Sequence, residues 1–201
     1  KMKPSGIDWI GNIPEHWEVL PLKRCCSNVR DRAIVRSDFR VALENIEGWT
    51  GQYLDTDSEY EGQGIAFQKD DVLFGKLRPY LAKVYLAPQN GEALGDFWVL
   101  RPNQEVVPEY LHNLLLSKGV VDIINSSTYG TKMPRADWQT NSKIQLPIPP
   151  LNEQHVITDT IKKIYSTVLS QINICNTKIA FLQERKQIII NDVVTGKVKV
   201  V

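Results

Sequence analysis

Basic and hydroxyl side chains are concentrated in a few segments of this 201-residue chain, and they offer its clearest chemistry. Lysine and arginine neutralise phosphates, and arginine also forms paired hydrogen bonds with the edge of guanine. Serine, threonine and tyrosine hydroxyls bond both phosphates and base edges. The pattern therefore predicts nucleic-acid contacts at Arg30, Arg32, Arg36, Lys76, Arg78, Ser127, Thr128, Tyr129, Thr131, Lys132 and Arg135.

Each of these segments also has a structural explanation that needs no nucleic acid. In residues 76–80, Pro79 can fix a turn and Tyr80 can pack, which leaves the two cations in water. Residues 30–40 can form a solvated charged face, as most runs of charge do. Residues 126–135 can form an ordinary polar loop. The residue types alone leave both interpretations open.

No arrangement typical of an active site is present in the sequence. His16, His112 and His155 are widely separated and lack the spacing of metal ligands. No glycine-rich loop follows a predicted strand, and Thr195-Gly196-Lys197 follows a helix, whereas a phosphate-binding loop precedes one. We therefore predict no catalytic residue, no metal site and no cofactor for this chain.

Charge is unevenly distributed along the chain, although the net charge is only +1. Residues 1–150 carry 17 Lys and Arg against 19 Asp and Glu, a net charge of −2, whereas residues 151–201 carry 7 against 4, a net charge of +3. Residues 44–61 contain six acids and no base. Because phosphate neutralisation supplies most of the affinity for DNA, DNA binding by the isolated chain is expected to be weak.

Hydrophobic patterning predicts an α+β fold, with a globular domain over residues 1–150 that holds a mixed β-sheet and short helices. Strands are predicted at residues 39–43, 72–74, 81–86, 97–100 and 144–148. A helix is expected to begin at Pro108 and to end near Gly119. Residues 120–124 suit either a helix or a strand, and residues 1–20 are expected to be irregular.

Residues 151–201 are predicted to form one long helix and a C-terminal tail. Prolines at 147, 149 and 150 end the globular domain, Asn152 is placed to cap the helix, and the helix should reach about residue 189, roughly 57 Å away. Gly196 is expected to terminate it. An apolar stripe needs a partner, either another helix or the chain's own domain. This stripe follows heptad spacing with one stutter through Ile157, Ile161, Ile164, Val168, Ile172, Cys175, Ile179 and Leu182.

Four motifs occur in a fixed order along the chain. They are Trp9-Ile10-Gly11-Asn12-Ile13-Pro14-Glu15-His16-Trp17-Glu18, Asp71-Val72-Leu73-Phe74-Gly75-Lys76-Leu77-Arg78-Pro79-Tyr80-Leu81, Pro150-Leu151-Asn152-Glu153-Gln154 and Val194-Thr195-Gly196-Lys197. Together they resemble the specificity subunit, HsdS, of type I restriction-modification systems over essentially the whole chain. Members of that family usually carry two target-recognition domains and two long helices in tandem. This chain therefore resembles a half-length subunit or one repeat of a longer one.

The resemblance implies a function and a set of partners. The domain over residues 1–150 would be a target-recognition domain for double-stranded DNA, and the chain would not be an enzyme. Methylation with S-adenosylmethionine would belong to methyltransferase (M) subunits, and ATP-driven translocation and cleavage to a restriction (R) subunit. The long helices of the family pair antiparallel, so a chain with one such helix is expected to form a homodimer through an antiparallel coiled coil.

A second class of function fits the negative charge of residues 1–150. It is a coiled-coil assembly or regulatory protein of a restriction complex, which would bind protein and not DNA. Both alternatives are compatible with a cytoplasmic location. No apolar run approaches the roughly 20 residues of a membrane span, and three cysteines, two of them adjacent at Cys25 and Cys26, do not make a disulfide framework.

Overall fold

The computed structural model describes residues 1–56 and 62–198. Short strands and helices alternate within them, which confirms the predicted α+β class. The strands are β1 (Met2–Pro4), β2 (Asn12–Pro14), β3 (Glu18–Pro21), β4 (Cys26–Val29), β5 (Arg40–Val41), β6 (Ile65–Phe67), β7 (Val72–Gly75), β8 (Val84–Leu86), β9 (Gly91–Ala93), β10 (Phe97–Pro102) and β11 (Gln145–Ile148). The helices are α1 (Leu22–Cys25), α2 (Pro108–Leu116), α3 (Lys118–Ser126), α4 (Trp138–Asn141) and α5 (Leu151–Val194). The chain divides into two compact units, Lys1–Thr158 and Asp159–Val201.

A four-stranded antiparallel sheet with the order β4–β10–β7–β8 lies at the centre of the first unit. Successive strand residues point to opposite faces. Val72 and Phe74 accordingly pack into one core with α2 and α3, while Leu73 and Val99 pack into a second core with the three-stranded sheet β5–β9–β6. Both faces of the central sheet are buried, which explains why β7 is apolar at consecutive positions.

The strands predicted at residues 72–74, 97–100 and 144–148 are present as β7, β10 and β11. Two other predicted strands are shorter than expected. Residues 81–86 form a strand only from Val84, because Pro79–Leu81 is a 3-10 turn flanked by left-handed residues. Residues 39–43 contain only the two-residue strand β5 before a second 3-10 turn at Leu43–Asn45. Residues 1–20, predicted to be irregular, hold β1 and β2 and most of β3.

The helix predicted to run from Pro108 to Gly119 is in fact two helices. α2 ends at Leu116, and the extended backbone of Ser117 separates it from α3. Gly119 therefore lies in the first turn of α3 and does not terminate a helix. A Cβ at Gly119 would lie within 2.2 Å of the Trp9 ring, so the glycine permits close packing of that indole. Residues 120–124, left open between helix and strand, belong to α3.

The start of α5 differs from the prediction because tertiary contacts set it. Asn152 lies inside the helix and is not its cap. The carbonyl of Pro150 accepts the first helical hydrogen bond, from the Gln154 amide. The Gln154 side chain is fully buried and makes three further bonds: it accepts from the Val107 amide at 2.8 Å and donates to the carbonyls of Glu105 at 2.9 Å and Pro149 at 2.8 Å.

Glu153, the neighbour of Gln154, holds α5 to the N-terminal segment of the same unit. Its carboxylate accepts a hydrogen bond from the Trp17 indole at 2.9 Å and lies 2.6 Å from Nε2 of His16. These two hydrogen bonds lower the pKa of Glu153. The motif over residues 150–154 therefore has a structural role, since two consecutive side chains fix where the helix begins.

The helix α5 contains 44 residues, about 66 Å at 1.5 Å per residue, and it ends five residues later than predicted. Gly196 follows with a φ of +73°, and its amide bonds the Val193 carbonyl, as expected of a helix-terminating glycine. Across residues 1–56 and 62–198, no helix combines the length and the hydropathy that a bilayer-spanning segment requires.

The predicted apolar stripe of α5 divides between two environments. Ile157 is partly buried and packs against the core of the first unit. The rest of the stripe is exposed in this chain, at Ile161, Ile164, Val168, Ile172, Cys175, Ile179 and Leu182.

Candidate nucleic-acid interface

The first unit contains a groove of about 570 Å³, which we call the cationic groove. Five of the predicted contact residues line it: Arg30, Arg32, Lys76, Tyr129 and Arg135. These residues are far apart in sequence. They meet because the groove lies beside the ends of strands in the four-stranded and the three-stranded sheets. All three predicted contact segments therefore contribute side chains to one surface.

Backbone hydrogen bonds join the second and third of these segments. Tyr129 and Arg135 exchange two N–H to carbonyl bonds of 3.1 and 3.0 Å, which close residues 130–134 into a loop. The amide of Ala136 donates to the carbonyl of Lys76 at 2.9 Å. Lys76 itself follows directly after β7, a buried strand. The positions of Lys76, Tyr129 and Arg135 are thus set by main-chain bonds to a rigid element.

Arg30 and Arg32 reach the groove from the end of β4. Arg32 forms an isolated antiparallel bridge with Ile65, and the Ala66 amide donates to the Asp31 carbonyl at 2.9 Å. Both arginine residues are exposed. In the part of the chain that the structure describes, neither is ion-paired. Their guanidinium groups are therefore available to a ligand.

Asp96 is a member of the groove that the sequence patterns did not single out. Its Oδ2 accepts from Nε and Nη2 of Arg135 at 3.1 and 2.8 Å, and its Oδ1 lies 3.7 Å from Nζ of Lys76. The amide of Lys76 also donates to the Asp96 carbonyl at 2.8 Å. One carboxylate therefore orients two of the predicted cations, and no local sequence signal links positions 76, 96 and 135.

The charge of the groove is opposite in sign to that of its domain. Four cations, Arg30, Arg32, Lys76 and Arg135, face two carboxylates, Asp96 and Asp137, which leaves the lining at +2. Residues 1–150 as a whole carry −2. The net charge of residues 1–150 does not indicate whether this surface attracts a polyanion, because the local potential depends on where the charges lie. The acids of residues 44–56 are outside the groove, and those of residues 57–61 are outside the described residues.

Two tryptophans support the groove from within the fold. Trp98 stacks on Phe74 with ring centroids 5.2 Å apart and meets Trp138 edge-on at 5.5 Å. Both indoles contribute to the lining. Trp138 begins α4, whose N-cap is Asp137 through a bond from the Thr140 amide. Asp137, directly before Trp138, is an N-cap residue type, a sequence signal for the start of a helix.

The remaining predicted contact residues do not line the groove. The Ser127 hydroxyl donates to the Ile124 carbonyl and the Thr128 hydroxyl to the Asn125 carbonyl, so both are engaged at the end of α3. The other four are exposed elsewhere on the first unit: Arg36, Arg78, Thr131 and Lys132.

Burial shifts the pKa values of three titratable groups away from the groove. Burial raises the pKa of the Cys25 thiol to about 12 and raises that of Cys26 further, so both are protonated at neutral pH. Burial lowers the pKa of His112, whose Nε2 lies 3.3 Å from the Val84 carbonyl. Among residues 1–56 and 62–198, no group of three His, Cys, Asp or Glu side chains is placed to hold a metal ion.

Comparison with known proteins gives a consistent result. The family model described as "Type I restriction modification DNA specificity domain" matches residues 15–177. The chain is 24% identical to the type I restriction enzyme EcoDI specificity subunit of Escherichia coli, over 81% of this chain and 38% of that protein. It is 23% identical to the MjaVIII specificity subunit of Methanocaldococcus jannaschii, over 95% of this chain and 48% of that protein. The chain thus spans half or less of the length of these curated relatives.

Solved structures share the fold. The HsdS subunit from Thermoanaerobacter tengcongensis matches with a TM-score of 0.67 at 22% identity, over 79% of this chain and 44% of that one. A chain from a structure of a type I R-M system, reported for its complex assembly and conformational transition, matches with a TM-score of 0.70 at 20% identity, over 94% of this chain and 51% of that one. The resemblance drawn from the four sequence motifs is confirmed: this chain belongs to the family of type I restriction-modification DNA specificity domains.

Proposed function

We propose that this chain recognises double-stranded DNA in a sequence-specific manner as the specificity subunit, or half of one, of a type I restriction-modification complex. The observation that carries this function is the cationic groove, in which three separate segments place cations and an aromatic residue on one surface. A groove with a +2 lining on a domain of net charge −2 is suited to a polyanion that must be held in one orientation.

The cations of the groove are suited to two kinds of DNA contact. Arg30 and Arg32, which have no carboxylate partner among the described residues, are suited to guanine edges or phosphates. Lys76 and Arg135 are oriented by Asp96 and are suited to phosphate positioning. Ser127, Thr128, Thr131 and Lys132 belong to the same segment as Tyr129 and remain proposed contacts, as do Arg36 and Arg78.

In the complex, residues 1–150 would act as the target-recognition domain and residues 151–201 as the spacer. The exposed stripe of α5 would pair antiparallel with a second copy, so that a homodimer reads a bipartite site. The chain would contribute no catalysis and bind no cofactor. Methyltransferase subunits would methylate the site, the restriction subunit would join through the complex, and the assembly would work in the cytoplasm, where its DNA is.

The test is selection from a pool of random double-stranded DNA by the full chain, alone and with methyltransferase subunits, followed by sequencing. We expect enrichment of an interrupted palindrome. An unenriched pool, combined with capture of a methyltransferase subunit, would favour the rival function of an assembly protein that binds no DNA.

Groove variants make the same test specific to the site. Arg30→Ala with Arg32→Ala should weaken binding to the enriched duplex and reduce the slope of log K against log salt by about 0.9 for each phosphate that is no longer neutralised. Lys69→Ala with Lys143→Ala removes the same charge from exposed positions outside the groove and should change binding much less. Equal effects of the two pairs would refute the groove as the binding site.

A further inference from the structure

Two adjacent β-branched residues stand out on the loop that follows β4. Ile34 is 95% exposed and Val35 is 80% exposed, whereas the preceding Ala33 is 7% exposed. We call residues 34–35 the apolar tip. Single exposed apolar residues are ordinary, but this pair sits between two arginines, Arg32 and Arg36, at the edge of the cationic groove.

The base of this loop is fixed to the groove wall. The Ala33 amide donates to the Gly64 carbonyl at 3.1 Å, and the Gln63 side chain donates to the Ala33 carbonyl. Gln63, Gly64 and Ile65 line the groove. On the far side, the Ser37 hydroxyl accepts from the Phe39 amide and closes a tight turn. Hydrogen bonds on both sides of the tip therefore hold its loop beside residues that line the groove.

The arginines beside the apolar tip indicate what kind of surface it contacts. Arg32 and Arg36 are exposed, and neither is ion-paired within residues 1–56 and 62–198. An apolar pair framed by free cations suits a surface that is apolar at one point and anionic around it. Duplex DNA has such a point in the major groove, where the C5-methyl group of thymine lies between the two phosphate backbones.

The major groove is favoured over the minor groove by size. The major groove is about 12 Å wide and admits protein backbone with its side chains, whereas the minor groove is only about 6 Å wide. Methyl-to-methyl contact also requires no unstacking of bases, unlike a wedge inserted from the minor groove.

We infer that Ile34 and Val35 read thymine by contact with its C5-methyl group, which makes the apolar tip a specificity-determining element. The inference rests on the proposed function in DNA recognition and adds a base and an atom to it. It requires that each enriched half-site contain at least one thymine whose methyl group is needed for binding.

The experiment replaces thymine by uracil, which differs only in lacking the methyl group. The enriched duplex is synthesised with each thymine changed singly to uracil, and affinity for the full chain is measured by fluorescence anisotropy. At one or two positions we expect a loss of about fourfold, the effect of burying one methyl group. The double variant Ile34→Ala, Val35→Ala loses the contact in both half-sites of a homodimer, so it should bind the thymine duplex at least fourfold more weakly. It should show no further loss on the uracil duplex.

A control variant, Val156→Ala, makes the same valine truncation at an exposed position outside the groove. Its binding to DNA should retain full sensitivity to uracil. Three outcomes would overturn the inference: no position sensitive to uracil, tip variants that retain uracil sensitivity, or tip variants that bind DNA normally but no longer bind a protein partner. If the unmodified chain enriches no sequence at all, the proposed function fails instead. Circular dichroism verifies that each variant is folded.

Discussion

We predict that the buried side chain of Gln154 holds the first turn of α5 against the rest of the first unit. Replacing it with leucine keeps the volume but removes three hydrogen bonds, to Val107, Glu105 and Pro149. Each is worth about 1 kcal/mol, and the Val107 amide would be left buried without a partner. We expect a loss of about 2–4 kcal/mol in the free energy of unfolding. For a domain of this size, each kcal/mol corresponds to about 2–4 °C in Tm.

The control is the neighbouring residue Asn152, which is exposed and lies inside the helix. Asn152→Ala should change stability by no more than about 0.5 kcal/mol, whereas the loss of a true N-cap would cost about 1 kcal/mol. Both variants can be measured by urea unfolding followed by tryptophan fluorescence, since all five tryptophans precede α5 in the sequence. A stable Gln154→Leu variant together with a weakened Asn152→Ala variant would refute the reasoning and restore Asn152 as the cap.

Four further predictions follow from the predicted cations, the helix and a partly buried histidine. Lys76→Ala with Arg78→Ala should weaken binding to all duplexes alike and lower the salt slope; selective loss for one sequence in an anisotropy titration would mean that these residues read bases. A charged residue at both Ile164 and Ile179 should convert a dimer to a monomer, because each buried isoleucine is worth about 1.5–3 kcal/mol; sedimentation of the unmodified chain as a monomer at high concentration would contradict the dimer. Deleting residues 168–174, one heptad, removes about 10 Å of helix and should shorten the spacer between half-sites by about three base pairs at 3.4 Å each. Sequencing of methylated sites would measure the spacer. An altered half-site with an unaltered spacer would contradict the idea that the length of the helix sets the spacer length. Because burial lowers the pKa of His112, the unfolded chain takes up the proton more readily, so stability should be full above about pH 6.5 and fall as the pH drops through the lowered pKa; equal urea midpoints at pH 7.5 and 5.5 would contradict this.

The strands β7, β10 and β11 and the family could be predicted from sequence because each depends on nearby residues. β7 and β10 are apolar at consecutive positions, and the ordered motifs are short. The cationic groove could be predicted only as three separate segments. Its assembly depends on Asp96, which meets Lys76 and Arg135 through the fold alone.

The start of α5 was predicted wrongly because distant contacts set it. A local capping rule selected Asn152, but Gln154 makes its bonds to residues 47 and 49 positions away and shifts the start of the helix. Heptad spacing placed Ile157 in the stripe, and Ile157 also packs in part against the core of the first unit. Periodicity reports that a face is apolar and does not report which surface covers it.

The pairing of β3 with β11 has a consequence for how such a chain changes over generations. Val19 lies opposite Pro147 and Leu20 opposite Leu146, so the backbone enters and leaves the recognition fold through two strands that lie side by side. A segment of different length and sequence between Pro21 and Gln145 would therefore leave the flanking backbone in place, provided that it bonds Gln154 as Glu105 and Val107 do. Two crossovers in a gene, one at each of these strands, would exchange the segment between them and leave the sequence of α5 unchanged. The pairing of β3 with β11 thus allows the segment between them to be replaced as one unit.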